Sequence, residues 1–133
     1  MTGARFHHVG ILVQDFTDVA RVFGEHLGME VAEPEAEPDL GIAILWVSVG
    51  GVALELIRPL GSDSRAAAAL ANGDGGVHHI ALEVSDLDRS LADLRAAGVA
   101  LIDERPRRGA HGARIAFVDP RAAEGTLIEL VEP

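Results

Sequence analysis

The chain has 133 residues, 48% hydrophobic and 24% charged, with 21 acidic residues against 11 basic ones and a net charge of −10. A chain of this length buries roughly two-thirds of its unfolded surface, so it stands as one domain without disulfides or structural metal, and its charge excludes the basic footprint of a nucleic-acid binder. It contains no Cys, Lys or Tyr, which excludes thiolate nucleophiles, redox Cys pairs, Lys Schiff bases and Tyr acids, and leaves His, carboxylates, Arg, hydroxyls and backbone to carry any chemistry.

In chain order, MTGARFHHVGILVQDF lacks the apolar core and small-residue cleavage site of a secretory signal. Its HHVGILV portion reads as a strand. Asp15 is the expected N-cap of a helix whose apolar stripe is Phe16, Val19, Ala20, Phe23 and Leu27, stopped by Gly28. Strands are expected over Met29–Ala32, over Gly41–Val49 and around Leu54-Glu55-Leu56. The linker from Gly61 to Gly76 carries a short Ala-rich helix from Ser64 to Ala71. A second strand, HHIALEV, leads to the expected N-cap Asp86 and a helix with Leu87, Leu91, Leu94 and Ala97 on one stripe, stopped by Gly98. Strands follow at Val99–Ile102, Arg114–Val118 and around Ile128-Glu129-Leu130. The longest apolar stretch, Ile42–Val47, falls far short of the about 20 residues that span a bilayer. No membrane association is expected, and a cytoplasmic location is.

The chain therefore repeats itself, each half reading β-α-β-β-β. The expected organisation is α+β in a single domain over residues 1–133: a first module at about 5–59, a linker at 60–76 and a second module at about 77–133. Side chains alternate across a strand, so Val9, Ile11 and Val13 face one way with His7, while His8 faces the other way with Gly10. In the second copy Ile80, Leu82 and Val84 share a face with His78, and His79 shares the other with Ala81. The β-branched faces suit packing against helices; the faces with a His beside a small residue suit a cleft. His8 and His79 are equivalent under the repeat, as are Glu55 and Glu129. Two imidazoles and two carboxylates form a donor set suited to zinc, cobalt, manganese, nickel or iron. Charge is uneven: six acids and no Arg lie between Glu25 and Asp39, and five Arg with one acid between Arg105 and Arg121. Each run reads either as solvated surface or, for the Arg-rich one, as an attractor of anionic ligand.

The segments HHVGILVQD, LELIRPLGSDS, GDGGVHHIALEVSDLD, GVALIDERPRRGAHG and GTLIELVEP resemble the vicinal-oxygen-chelate (glyoxalase/bleomycin resistance/dioxygenase) superfamily, and within it the methylmalonyl-CoA epimerases. The resemblance runs from about Phe6 to Val131. It implies paired βαβββ modules forming an open, barrel-like mixed sheet around a metal cleft. It also implies a homodimer and a divalent metal, cobalt foremost, on His8, Glu55, His79 and Glu129. Glu55 stands where some members carry Gln and others Glu. The implied activity is epimerisation of a methylmalonyl-type CoA thioester by abstraction of the α-proton and its return on the opposite face. Glu129 is implied as one acid/base. The other is a Glu two residues ahead of a Gly-Val pair, a position held here by Asp39, one methylene shorter; Glu37 is the neighbouring alternative. A second departure is Asp119, where the epimerases commonly carry His. Arg105, Arg107, Arg108 and Arg114 are candidates to meet the CoA phosphates, with no single Arg singled out, and His111 in the Gly-Ala-His-Gly loop is a candidate to contact the substrate. A glyoxalase I-like isomerase or lyase would use the same four ligands, and a metal-free binding or resistance protein would share the scaffold.

Overall fold

The computed structural model describes residues 3–133. They divide into two compact units, one spanning His8–His78 and the other His79–Pro133 together with residues 3–7.

The first unit is built on β1 (Arg5–Leu12), α1 (Thr17–Ala20), β2 (Glu30–Val31), β3 (Glu35–Glu37), β4 (Ile42–Val49), β5 (Val52–Pro59) and α2 (Arg65–Ala71). Its strands run in the order β2-β4-β5-β1, with β3 also on β4. β1 lies parallel to β5, pairing Gly10 with Glu55, and β4 lies antiparallel to β5, pairing Trp46 with Glu55. Gly50 and Gly51 close the β4–β5 hairpin with φ of 53° and 82°; a two-residue hairpin turn requires positive φ at both positions, which glycine adopts at no steric cost.

The first helix differs from expectation. Phe16 occupies the N-cap and Asp15 acts one residue earlier, accepting a hydrogen bond from the Thr17 amide at 2.7 Å. After Ala20 the coil widens into a π-helical segment, Arg21–His26, with the Leu27 amide donating to the Val22 carbonyl. The wider turn moves Leu27 off the 3.6-residue stripe, so it is exposed and Met29 completes the apolar patch. Phe16, Val19, Ala20, Phe23 and Met29 pack on Ile11, Leu45, Val47, Leu54 and Leu56.

The second unit repeats the design with β6 (Gly76–Glu83), α3 (Leu87–Ala96), β7 (Arg107–Arg108), β8 (Arg114–Val118) and β9 (Ile128–Glu132), in the order β6-β9-β8-β7. Again the first strand lies parallel to the last, pairing Ala81 with Glu129, and the last lies antiparallel to its predecessor, pairing Phe117 with Glu129. Asp86 caps α3 as expected, accepting from the Arg89 amide. The strand expected at Val99–Ile102 reduces to one bridge, Leu101 to Val118. Two short strands, β3 and β7, had no apolar alternation to announce them.

Leu87 and Leu91 are fully buried against Ala116, Val118 and Leu130. Leu91→Ala, which opens a cavity with no neighbouring side chain lost, is expected to destabilise by about 2–5 kcal/mol, read as a lower midpoint in urea at unchanged m-value. A cost below about 1 kcal/mol would mean that this cluster is not the core of the unit.

Candidate metal-binding and catalytic residues

Register decides what shares a face, because directly opposed residues on paired strands project to the same side. In the first unit, Gly10, Glu55 and Trp46 form one row across β1, β5 and β4. His8 stands one pleat away on that face. The helix-packed residues Ile11, Leu45, Val47 and Leu56 belong to the opposite face. His8 is 3% exposed and Glu55 7%. The His8 Nε2 stands 3.5 Å from the Glu55 Oε1, and its ring meets Trp46 edge to face at 5.1 Å.

The second unit reproduces this arrangement. Ala81, Glu129 and Phe117 form the matching row, and His79 stands one pleat from Ala81. His79 is 3% exposed and Glu129 7%. The His79 Nε2 is 4.0 Å from the Glu129 Oε2, and its ring meets Phe117 edge to face at 5.7 Å. The helix-packed residues Leu82, Ala116, Val118 and Leu130 again lie opposite. On the His/Glu faces Gly10, Leu12 and Ala81 are buried; on the opposite faces Val9, Ile11 and Leu82 are half-buried and Ile80 is exposed.

These separations exceed the about 2.7–3.2 Å of a good hydrogen bond. Two ligands bonded at about 2.0–2.2 Å to one divalent ion stand roughly 3–3.5 Å apart. The His8–Glu55 separation of 3.5 Å matches the spacing of co-ligands, and the His79–Glu129 separation of 4.0 Å is wider than either arrangement. Burying an imidazole and a carboxylate side by side carries a desolvation cost that a cation between them offsets. The donor set thus fits a divalent ion.

Sequence reasoning missed Trp46 and Phe117. The signal was available, since each lies inside the third strand expected in its half, Gly41–Val49 and Arg114–Val118. It becomes meaningful only once register places each beside a Glu.

The remaining candidates separate by face. Asp39 is exposed, in a 3-10 turn (Pro38–Leu40) beyond β3. Glu35 and Glu37, both half-buried, pair with Ile44 and Ile42 and so lie on the Trp46–Glu55 face. Arg107 pairs with Ile115, placing it on the Phe117–Glu129 face, and its guanidinium lies 5.3 Å from the Phe117 ring centroid. Arg108 pairs with Arg114, which puts both on the opposite face. There Arg114 bridges Asp88 at 2.8 Å and Glu132 at 2.9 Å, tying α3 to the sheet. Their alternation with Ile115 and Phe117 turns Arg108 and Arg114 away from the face that carries Glu129. His111 is exposed at a loop tip with φ of 59°, a left-handed conformation in which His is among the more tolerated residues. That loop is anchored at Gly109, where a Cβ would come within 2.8 Å of Ile115 Cγ2.

Burial pushes the His78 pKa down, against the opposing pull of Glu55 and Asp74. Asp119 is held below the usual carboxylate range by hydrogen bonds from the Arg121 side chain and amide. A carboxylate with a depressed folded-state pKa contributes stability that is present above its unfolded value and is lost as pH falls through the folded one. The difference in Tm between wild type and Asp119→Asn should therefore be present at neutral pH and close below about pH 4. A pH-independent difference would show that the ion pair contributes nothing, as for many exposed pairs.

The family described as the Glyoxalase/Bleomycin resistance protein/Dioxygenase superfamily matches residues 7–117. The mitochondrial methylmalonyl-CoA epimerase of Bos taurus is 35% identical over 95% of this chain and 73% of its own. The ethylmalonyl-CoA/methylmalonyl-CoA epimerase of Cereibacter sphaeroides is 37% identical over 95% of this chain and 96% of its own. A Streptomyces coelicolor methylmalonyl-CoA epimerase, solved in complex with 2-nitronate-propionyl-CoA, superposes with a TM-score of 0.87 at 33% identity, covering 98% of this chain and 95% of that one.

Proposed function

Because the chain belongs to the glyoxalase/bleomycin resistance protein/dioxygenase superfamily, and within it to the family of the methylmalonyl-CoA epimerases, we propose that it epimerises methylmalonyl-CoA or a closely related 2-substituted malonyl thioester. The observation that carries this reading is the buried His–Glu pair beside an aromatic ring, built twice on equivalent strands. The two modules act as one domain in this reading. His8, Glu55, His79 and Glu129 are the ligands of one divalent ion, cobalt foremost, with zinc, manganese, nickel or iron as alternatives. Such an ion, when bound, supplies Lewis-acid stabilisation of the charge that develops on a thioester oxygen.

The chain's own residues do the rest. A proton next to a thioester is far less acidic than any side chain, so the carboxylate that removes it must be held in place and kept dry. Glu129 is 7% exposed and fixed by its pairing with Ala81 and Phe117, which suits it to take or return the proton on one face of the α-carbon. Inversion needs a second group on the other face, assigned by the resemblance to Asp39. Edge contacts from Trp46 and Phe117 restrict the rotation of His8 and His79 and shield them from water. No helix among the described residues is long and apolar enough to cross a membrane; a cytoplasmic homodimer completes the reading.

The decisive experiment is incubation with methylmalonyl-CoA in deuterium oxide with Co²⁺ supplied. The reading expects exchange of the α-proton together with inversion of configuration. Absence of exchange overturns it.

A further inference from the structure

Five Arg lie between Arg105 and Arg121, and the structure gives them different tasks. Arg114 is engaged by Asp88 and Glu132, and Arg121 by Asp119 at 2.8 Å. Arg108 pairs in register with Arg114 on the helix-covered face. Arg105 is exposed in the segment before β7. Arg107 alone of the five is placed by register on the face that carries Phe117 and Glu129.

Its placement is built. Asp103, with a side chain only 16% exposed, accepts from the Arg107 Nε at 3.2 Å through one oxygen and from the Phe117 amide at 2.9 Å through the other. One carboxylate thus fixes both the guanidinium and the strand beneath it. The planar guanidinium lies over the Phe117 ring, whose edge-to-face partner is His79 and whose register partner is Glu129. The Nε is used by Asp103, while the two Nη groups make no hydrogen bond to the described residues. This leaves the forked end, the part of Arg that matches a carboxylate, on the Glu129 side of the sheet.

We propose that Arg107 receives the free carboxylate of the acyl group and that Asp103 positions it; this rests on the epimerase reading above. The acyl carboxylate is favoured over the CoA phosphates because Arg107 is held one ring away from the proposed acid/base. The phosphates are carried at the far end of the pantetheine arm. A carboxylate held here would distinguish a malonyl-type thioester from one bearing a plain acyl chain.

The test compares binding of malonyl-CoA with binding of propionyl-CoA by calorimetry, in the full chain with Co²⁺ supplied, so that it does not depend on turnover. Wild type is expected to prefer malonyl-CoA. Arg107→Leu is expected to lose about tenfold to a hundredfold of that preference, the range for a charge-assisted contact, while binding propionyl-CoA as before. Arg107→Lys should recover only part, lacking the fork. Asp103→Asn, which keeps an acceptor for the Phe117 amide, should reduce the preference and raise KM for methylmalonyl-CoA more than it lowers kcat. Equal losses for both thioesters in Arg107→Leu would assign the cation to the CoA moiety and overturn the proposal. So would a wild type without preference for malonyl-CoA. An Asp103→Asn variant with a lower Tm and an unchanged preference would reject the positioning role. Failure of the epimerase reading is distinguishable, since it appears as absent proton exchange whatever the binding preference.

Discussion

Glu129→Gln is expected to lower both α-proton exchange and epimerisation by about 10²–10⁴-fold, the usual contribution of a positioned acid/base, whereas Glu55→Gln should stay within about tenfold of wild type. The contrast is informative because the two residues are structurally equivalent. Each is 7% exposed, each is paired in register with a small residue and an aromatic one, and each faces a His. If both acted only as metal ligands, the two substitutions would cost alike. The resemblance places Glu55 where members of the family carry Gln or Glu, so an amide oxygen should suffice there; at Glu129 the amide cannot take a proton. Metal content should be measured in both variants, because a Glu129→Gln protein that has lost its metal would mimic loss of a base. Retained metal with lost exchange supports the acid/base role. Equal, mild effects at both positions would overturn it.

The second large effect is expected at Asp39. An enzyme with one working base can remove and return a proton on the same face, so Asp39→Asn should still exchange the α-proton with solvent while inversion falls by about 10²-fold or more. Asp39→Glu, which restores the longer side chain expected from the resemblance, should raise inversion, since small misplacements of a reacting group are costly. The measurement is the ratio of deuterium incorporation into retained and inverted product. If Asp39→Asn inverts as well as wild type and Glu35→Gln or Glu37→Gln does not, the base comes from β3, whose register lays those two carboxylates on the Trp46–Glu55 face. That outcome would give a catalytic use to part of the acidic run between Glu25 and Asp39.

Much was legible before any coordinates. The HHVGILV and HHIALEV copies, each followed by an Asp and an apolar stripe at helical spacing, give the strand-then-helix opening of both halves, because period-2 and period-3.6 patterns are local properties of the chain. The same repeat makes His8 match His79 and Glu55 match Glu129, so the donor set needs no structure to be nominated. Local pattern failed where tertiary contacts took over. Leu27 kept the helical period and was turned outward by the π-helical widening of its own helix. Residues 99–102 are apolar but form a single bridge. β3 and β7 are short, polar strands that exist because β4 and β8 offer them an edge.

For the candidate site, composition and repeat determined which residue types remain and where they recur. Cross-strand register alone decided what stands beside them. It set Trp46 next to Glu55 and Phe117 next to Glu129, turned Arg114 away to serve α3, and left Arg107 over Phe117 with Asp103 holding it. The physical reason is that register joins residues many positions apart through backbone hydrogen bonds, and a shift of one residue would send every side chain to the opposite face. Nothing within a single strand records that choice.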